Sequence, residues 1–326
     1  METGQNRDSL SFWKEFKKIA STESLPGRFG GPRVCRFCGK SEGTVSFRNK
    51  AHAVSDLLGR NDFVIFDECD KCNALFSPWE TQMSQFFMPY LATIGIRGKK
   101  EIPAFQSRLE NKSPETRTTM KKDRTGKFNI NMNSLNDLEI NSEHKTVTIT
   151  YRQPPISKLC VFKALSKIAL SLLPPEEVSE NRDIYEWLID HRNSSVPSVP
   201  GAYITVLKKI MWQKPVAELF RSTKDFSTEH DAFPKYTLVL RFANLVVQIF
   251  LIPSKRPSLE GEQKHNLNLN YFPAFVLDHS FDPILKEVSD PTAIVEVPFS
   301  FSFEDLSNEE LEERDEVIQL KYQSEE

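Results

Sequence analysis

Two Cys-x-x-Cys pairs, Cys35/Cys38 and Cys69/Cys72, stand thirty residues apart near the start of the chain and constrain its folding more than any other feature. A Cys-x-x-Cys turn offers two thiolates from one tight loop, and two such turns complete the sulfur tetrahedron that zinc prefers. A fifth cysteine, Cys160, stands alone in an apolar stretch and reads as a small core residue. A cytoplasmic location is expected from the lack of a signal core or membrane-spanning run. In an unexported protein an odd count with paired spacing favours a metal over a disulfide framework. With all four positions filled by protein, the zinc is expected to be structural. In a unit of about sixty residues, which buries little surface, it would contribute folding energy directly.

The 326 residues leave room for two domains. No apolar run reaches the roughly 18–20 residues of a membrane-spanning helix, and the N-terminus lacks an apolar signal core. Instead Leu10, Phe12, Trp13, Phe16 and Ile19 recur at helical spacing, which predicts a lead-in helix within residues 1–30. It ends at the turn-rich Pro26-Gly27 and Gly30-Gly31-Pro32.

Residues 31–92 read as the zinc domain. Short strands are expected at 44–48 and 63–66, followed by a helix from Cys72. There Leu75, Trp79, Met83, Phe86, Phe87 and Tyr90 recur at three- and four-residue steps, and Pro78 leaves the helix start irregular. Residues 93–145 are polar and basic, fitting either a linker or a loop-rich β excursion. Residues 146–326 read as a C-terminal α+β domain with a mainly antiparallel sheet. Its elements are a strand at 146–151, a buried helix at 159–173 stopped by Pro174-Pro175, a second helix at 183–191, and strands at 203–207, 236–242, 245–252 and 293–303. Lys163 and Lys167 are the exceptions in the otherwise apolar helix.

The net charge of −3 conceals an asymmetry. Residues 93–127 carry ten Lys or Arg against four acids, and residues 304–326 carry ten acids against two bases. The basic run (Arg97, Lys99, Lys100, Arg108, Lys112, Arg117, Lys121, Lys122, Arg124 and Lys127) fits either salt-dependent phosphate contacts or a solvated linker. The acidic tail fits a solvated face or a mimic of nucleic acid.

Between the cysteine pairs lies Lys50-Ala51-His52-Ala53-Val54-Ser55-Asp56-Leu57-Leu58-Gly59. The second pair sits in Asp67-Glu68-Cys69-Asp70-Lys71-Cys72-Asn73, followed by Phe76 and Glu80. Residues 33–90, with an extension through Gly95-Ile96-Arg97-Gly98-Lys99-Lys100, resemble the HNH endonuclease superfamily. The likeness is to the branch whose ββα-metal core is braced by a four-cysteine zinc. It implies an α+β fold with an N-terminal ββα-metal domain, metal-dependent hydrolysis of phosphodiesters and, as partner, nucleic acid, double-stranded DNA above all. Defence against foreign DNA is one setting for such an activity.

The same resemblance casts His52 as general base and Asn61 as a loose counterpart of the residue that orients it. Asn73 becomes a ligand of a catalytic Mg2+ or Mn2+ ion. Two positions depart from the pattern: Ala51 stands where an acidic metal ligand precedes the base, and Ser55 replaces a proline. Glu80, seven residues after Asn73 on the same helix face, is the replacement ligand the spacing offers, with Asp67, Glu68 and Asp70 as alternatives. The bland readings are a hydrogen-bonded structural His52 and a surface Glu80. They lead to the competing function, an inactive zinc-stabilised module that binds nucleic acid or protein.

Overall fold

The computed structural model describes residues 13–24, 33–98, 101–107, 118–123, 128–132, 135–141, 143, 146–153, 155–190, 202–207, 212–223, 234–251, 295–302, 313–314 and 317–318. The fold is mixed α+β with antiparallel sheets. The largest sheet has five strands: β1 (Phe16–Ser21), β9 (Ala202–Val206), β10 (Trp212–Ser222), β11 (Tyr236–Ala243) and β12 (Leu245–Leu251). Their spatial order is β1-β10-β11-β12-β9, every pair antiparallel.

Period-two alternation sorts the strand residues onto two faces. On β11 and β12, Leu238, Leu240, Phe242, Leu245, Val247 and Ile249 enter the main core. Val239, Val246 and Phe250 point the other way, into a small cluster under Trp13. Every residue of β12 is buried, which is why its sequence reads as an apolar run interrupted only by Gln248. The hairpin between β11 and β12 pairs Phe242 with Leu245, and Ala243 adopts φ 49° to make so tight a turn.

Four α-helices are present among the described residues: α1 (Asp70–Ile94), α2 (Lys158–Leu172), α3 (Pro175–Val178) and α4 (Arg182–Ile189). Helix α2 is buried from Val161 to Leu172, capped at its start by the Ser157 hydroxyl accepting from the Cys160 N–H. It packs between α1 and the five-stranded sheet. Helix α1 reaches the sheet as well, where Phe87 meets Phe242 edge-on with ring centroids 5.1 Å apart. Pro78 and Pro89 both lie inside α1 without ending it. It stops at Gly95, in the left-handed conformation (φ 80°), whose N–H returns to the Leu91 carbonyl.

Several expectations are corrected here. The lead-in helix is absent over 16–21, where the chain forms β1 and pairs with β10 from Phe16↔Ser222 to Ser21↔Glu218. The exposed edge of β10 offers those backbone groups a ladder of hydrogen bonds, and Lys18 adds an ion pair to Glu218 at 2.8 Å, so tertiary pairing overrides local helical spacing. Leu10 and Phe12 lie outside the described residues.

The division at 92 and 146 does not separate two cores. One apolar cluster runs from Phe37, Phe76 and Met83 through Leu165 and Tyr185 to Leu238 and Val247. Of the two readings of 93–145, the described residues follow the β excursion and not the linker. Strands β4 (Phe105–Gln106), β5 (Thr119–Lys122) and β6 (Phe128–Asn131) form a sheet whose Phe105, Met120 and Ile130 share a core with Ala92 of α1. The same core takes in Val147, Ile149 and Tyr151 of β8 (Thr146–Gln153), which lies between β7 (Leu138–Asn141) and β13 (Val295–Ser302). The strand expected at 44–48 is only a bridge between Val45 and Glu42. The one at 63–66 shrinks to β3 (Val64–Ile65), paired with β2 (Ala51–His52).

Candidate functional site

The four cysteines converge. Cys35 and Cys72 lie 3.8 Å apart at sulfur, as do Cys38 and Cys69, and all four sulfurs fall within 4.8 Å of one another. A tetrahedron with zinc–sulfur bonds of about 2.3 Å has edges of about 3.8 Å, so the spacing fits one zinc ion. It does not fit disulfides, and all four thiols are free. Among the described residues this is the one group of three or more His, Cys, Asp or Glu close enough to hold a metal.

Local geometry explains the convergence. Gly39, at φ 69°, lets its N–H return to the Cys35 carbonyl and so closes the first knuckle. The N–H of Cys69 points at the Cys35 sulfur, 3.4 Å away. The crowded sulfurs share protons unequally. The hydrogen bond shared by Cys35 and Cys72 draws the Cys35 thiol down to about 5 and pushes that of Cys72 up, while burial raises Cys69 to about 11. A divalent cation removes that conflict by favouring thiolate at all four positions.

The knuckles are also bolted to the rest of the molecule. The buried Arg36 guanidinium pairs with Asp67 at 2.7 Å and donates to the carbonyls of Leu170, Ser171 and Leu173, which end α2. In return Arg182 of α4 donates to the carbonyls of Arg36 and Phe37.

His52 sits on β2, its side chain about one-quarter exposed. Its Nδ1 lies 3.5 Å from Asn61 Oδ1 and 3.3 Å from Asp56 Oδ1. Asn61 is buried and fully engaged. Its amide nitrogen donates to the carbonyls of Val54 and Gly59, and its Oδ1 accepts from the Phe63 N–H. The structure thus brings His52 and Asn61 together, with Asn61 clamping the loop that carries the histidine. Asn73 occupies the first turn of α1, and its side chain makes no hydrogen bond among the described residues.

Glu80 is not a free carboxylate. Lys167, fully buried on α2, donates to Glu80 at 3.1 Å and to the His52 carbonyl, and lies 3.4 Å from Glu68. Glu68, also buried, accepts no hydrogen bond, and burial raises its carboxyl to about 7 despite the nearby ammonium. Burial alone would lower the Lys167 pKa, but Glu68 and Glu80 together outweigh it and the net shift is upward.

The other acidic alternatives are occupied as well. Asp67 holds Arg36, and Asp70 accepts from the N–H groups of Arg48 and Asn49. The described residues therefore supply no preformed acidic cage for a second, catalytic ion.

Sequence reasoning missed Asp56, Lys167 and Arg36. Lys167 left a signal: a lysine inside a buried apolar helix must find partners. Asp56 left a weaker one, four residues after His52. Arg36 left none, because its partners besides Asp67 are backbone carbonyls about 135 residues away.

Several expectations fall outside the described residues. They are the side chains of Lys99, Lys100, Arg108, Lys112, Arg117, Arg124 and Lys127, and the acidic tail except for backbone pairing of 313–314 with 317–318. No described helix is long and apolar enough to cross a membrane. Compared with known protein families, with curated proteins and with solved structures, the chain matches none.

Proposed function

We propose that the chain is an HNH-type endonuclease that hydrolyses phosphodiester bonds in double-stranded DNA, with a structural zinc at the four cysteines and His52 as general base. The observation that carries this reading is the placement of His52. A partly exposed imidazole stands on the first strand of a strand–strand–helix unit, between the cysteine pairs, with Asn61 against its Nδ1. Here the imidazole takes a proton from water as the water oxygen attacks phosphorus, and an ester oxygen of the backbone leaves.

Charge supports a polyanionic substrate. The Arg60 N–H donates to the Arg97 carbonyl at 3.2 Å, so the two arginines lie side by side next to Asn61. Both are exposed, and neither side chain has an ion pair among the described residues. Two exposed arginines whose backbones meet beside the His52 loop suit phosphate contacts.

The Mg2+ or Mn2+ ion belongs to the proposal through the resemblance alone. Asn73, on the first turn of α1, is the ligand that the resemblance still offers, whereas Glu80 is committed to Lys167. That commitment favours the second reading, a zinc-braced module that binds DNA without cutting it.

Supercoiled plasmid incubated with the protein in magnesium or manganese separates the two. The nuclease reading expects nicking that falls by about 10²–10⁴-fold in His52→Ala, the range general-base catalysis supplies. Plasmid that is bound but never nicked establishes the binding module. Equal nicking by the variant removes His52 from the chemistry.

A further inference from the structure

We infer that Asp56 is a positioning residue that fixes the tautomer of His52, placing the ring proton on Nδ1 and leaving Nε2 as the basic atom that faces substrate. The inference deepens the nuclease reading and rests on it for its chemical meaning, although the tautomer can be read without any cleavage.

Both neighbours of Nδ1 are oxygens, and both are acceptors. Asp56 Oδ1, 3.3 Å away, belongs to a carboxylate, which has no proton to offer when ionised. Asn61 could in principle present either end of its amide, but its orientation is settled independently. The amide nitrogen is needed for the carbonyls of Val54 and Gly59, at 3.2 and 3.0 Å, and the oxygen is needed for the N–H of Phe63 at 3.1 Å. Turning the amide over would set two acceptors against an acceptor and a donor against a donor. The atom facing His52 is therefore Oδ1. A bare nitrogen lone pair at Nδ1 would confront two oxygens with no hydrogen between them, so the proton resides there.

Nε2 has no hydrogen-bond partner among the described residues, and the side chain is about one-quarter exposed, which leaves its lone pair open to a water or a substrate proton. The contacts to Nδ1 are longer than optimal, as such contacts commonly are before substrate binds.

Asp56 is suited to this by its own anchoring. It opens the 3-10 turn Asp56–Leu58 behind the Ser55 cap, its carbonyl accepts from the Gly59 N–H, and its carboxylate accepts from the Asn61 N–H at 3.4 Å. The carboxylate is thus tied to the loop that Asn61 locks. Ala51, immediately before His52, leaves no acid on β2 to take this part.

Nitrogen-15 NMR of histidine-labelled full-length protein above the imidazole titration reads the tautomer directly, with the His52 resonances identified by their loss in His52→Gln. The wild type is expected to show protonated Nδ1 and unprotonated Nε2. Asp56→Asn, whose amide can donate, and Asp56→Ala, which has no polar group, should both move the population toward Nε2–H, and Asp56→Glu should restore the wild-type pattern. In the plasmid assay, Asp56→Asn should lower kcat on the order of 10²-fold with KM little changed.

A wild-type Nε2–H pattern, or variants that keep the Nδ1–H pattern, would overturn the assignment. Should the wild type fail to nick plasmid while the tautomer behaves as described, the nuclease reading falls and the positioning by Asp56 stands.

Discussion

The four-cysteine unit and the five-stranded sheet occupy the same molecule and meet in one core, yet they are held by opposite means. The sheet is secured by area: β11 and β12 are buried on both faces, and their hydrogen bonds run unbroken from Tyr236↔Leu251 to Phe242↔Leu245. The cysteine unit has two strands of two residues each and relies on point attachments. Those attachments are four sulfurs, the Arg36 guanidinium and the Lys167 ammonium. Apolar area tolerates substitution and yields gradually. Point attachments fail singly, because each lost partner strands a buried charge or an open coordination site.

The largest effect should come from the metal. Structural zinc sites contribute apparent binding energies of about 10–16 kcal/mol in small domains, so Cys69→Ser or chelation should cost more than any apolar substitution. Elemental analysis should find one zinc per chain in the wild type, and limited proteolysis should open the chain between residues 33 and 98 in the variant. A zinc-free, fully folded Cys69→Ser protein would erase the contrast between the regions.

Next in size is Lys167→Met, which leaves Glu68 and Glu80 facing each other without a cation and should cost about 3–5 kcal/mol in urea unfolding. Adding Glu80→Gln should recover part of that loss, and a strictly additive pair would mean the ammonium is not the link. In the sheet, Leu240→Ala should cost about 2–5 kcal/mol while zinc content stays at one per chain. Loss of zinc in that variant would show the two regions to be a single cooperative unit.

Smallest is Gly95→Ala. The left-handed φ of 80° and a Lys122 carbon 2.8 Å from the new Cβ should together cost about 1–2 kcal/mol. Differential scanning calorimetry would register it as a small drop in Tm.

What the sequence disclosed follows the same division. The cysteine quartet was legible because ligand spacing is local, whereas Asn61, which lies 3.5 Å from His52, was offered only as a loose counterpart within the resemblance. The strands of the apolar hairpin were legible from alternation and a sharp turn. β1 and β10 were not. β10 carries Gln213, Lys214, Pro215, Glu218 and Arg221 among its apolar residues, which masks the pattern, and β1 borrows its conformation from that distant partner.

The partners of Lys163 and Lys167 were likewise hidden. Only the folded chain sets Lys163 between the rings of Trp79 and Trp187, at 5.1 and 5.3 Å, and Lys167 between two carboxylates. A one-dimensional pattern reports what neighbours in sequence need; it is silent about groups that another element completes.

The pairing of β1 with β10 carries a consequence for how the protein is made. Residues 16–21 emerge from the ribosome about two hundred positions before the strand they join, a delay of roughly 10–40 s at 5–20 residues per second. Within that interval both cysteine pairs are already outside the ribosome. The metal can therefore be captured, and its loops set, while the edge of the sheet is still waiting for the last strands to be synthesised.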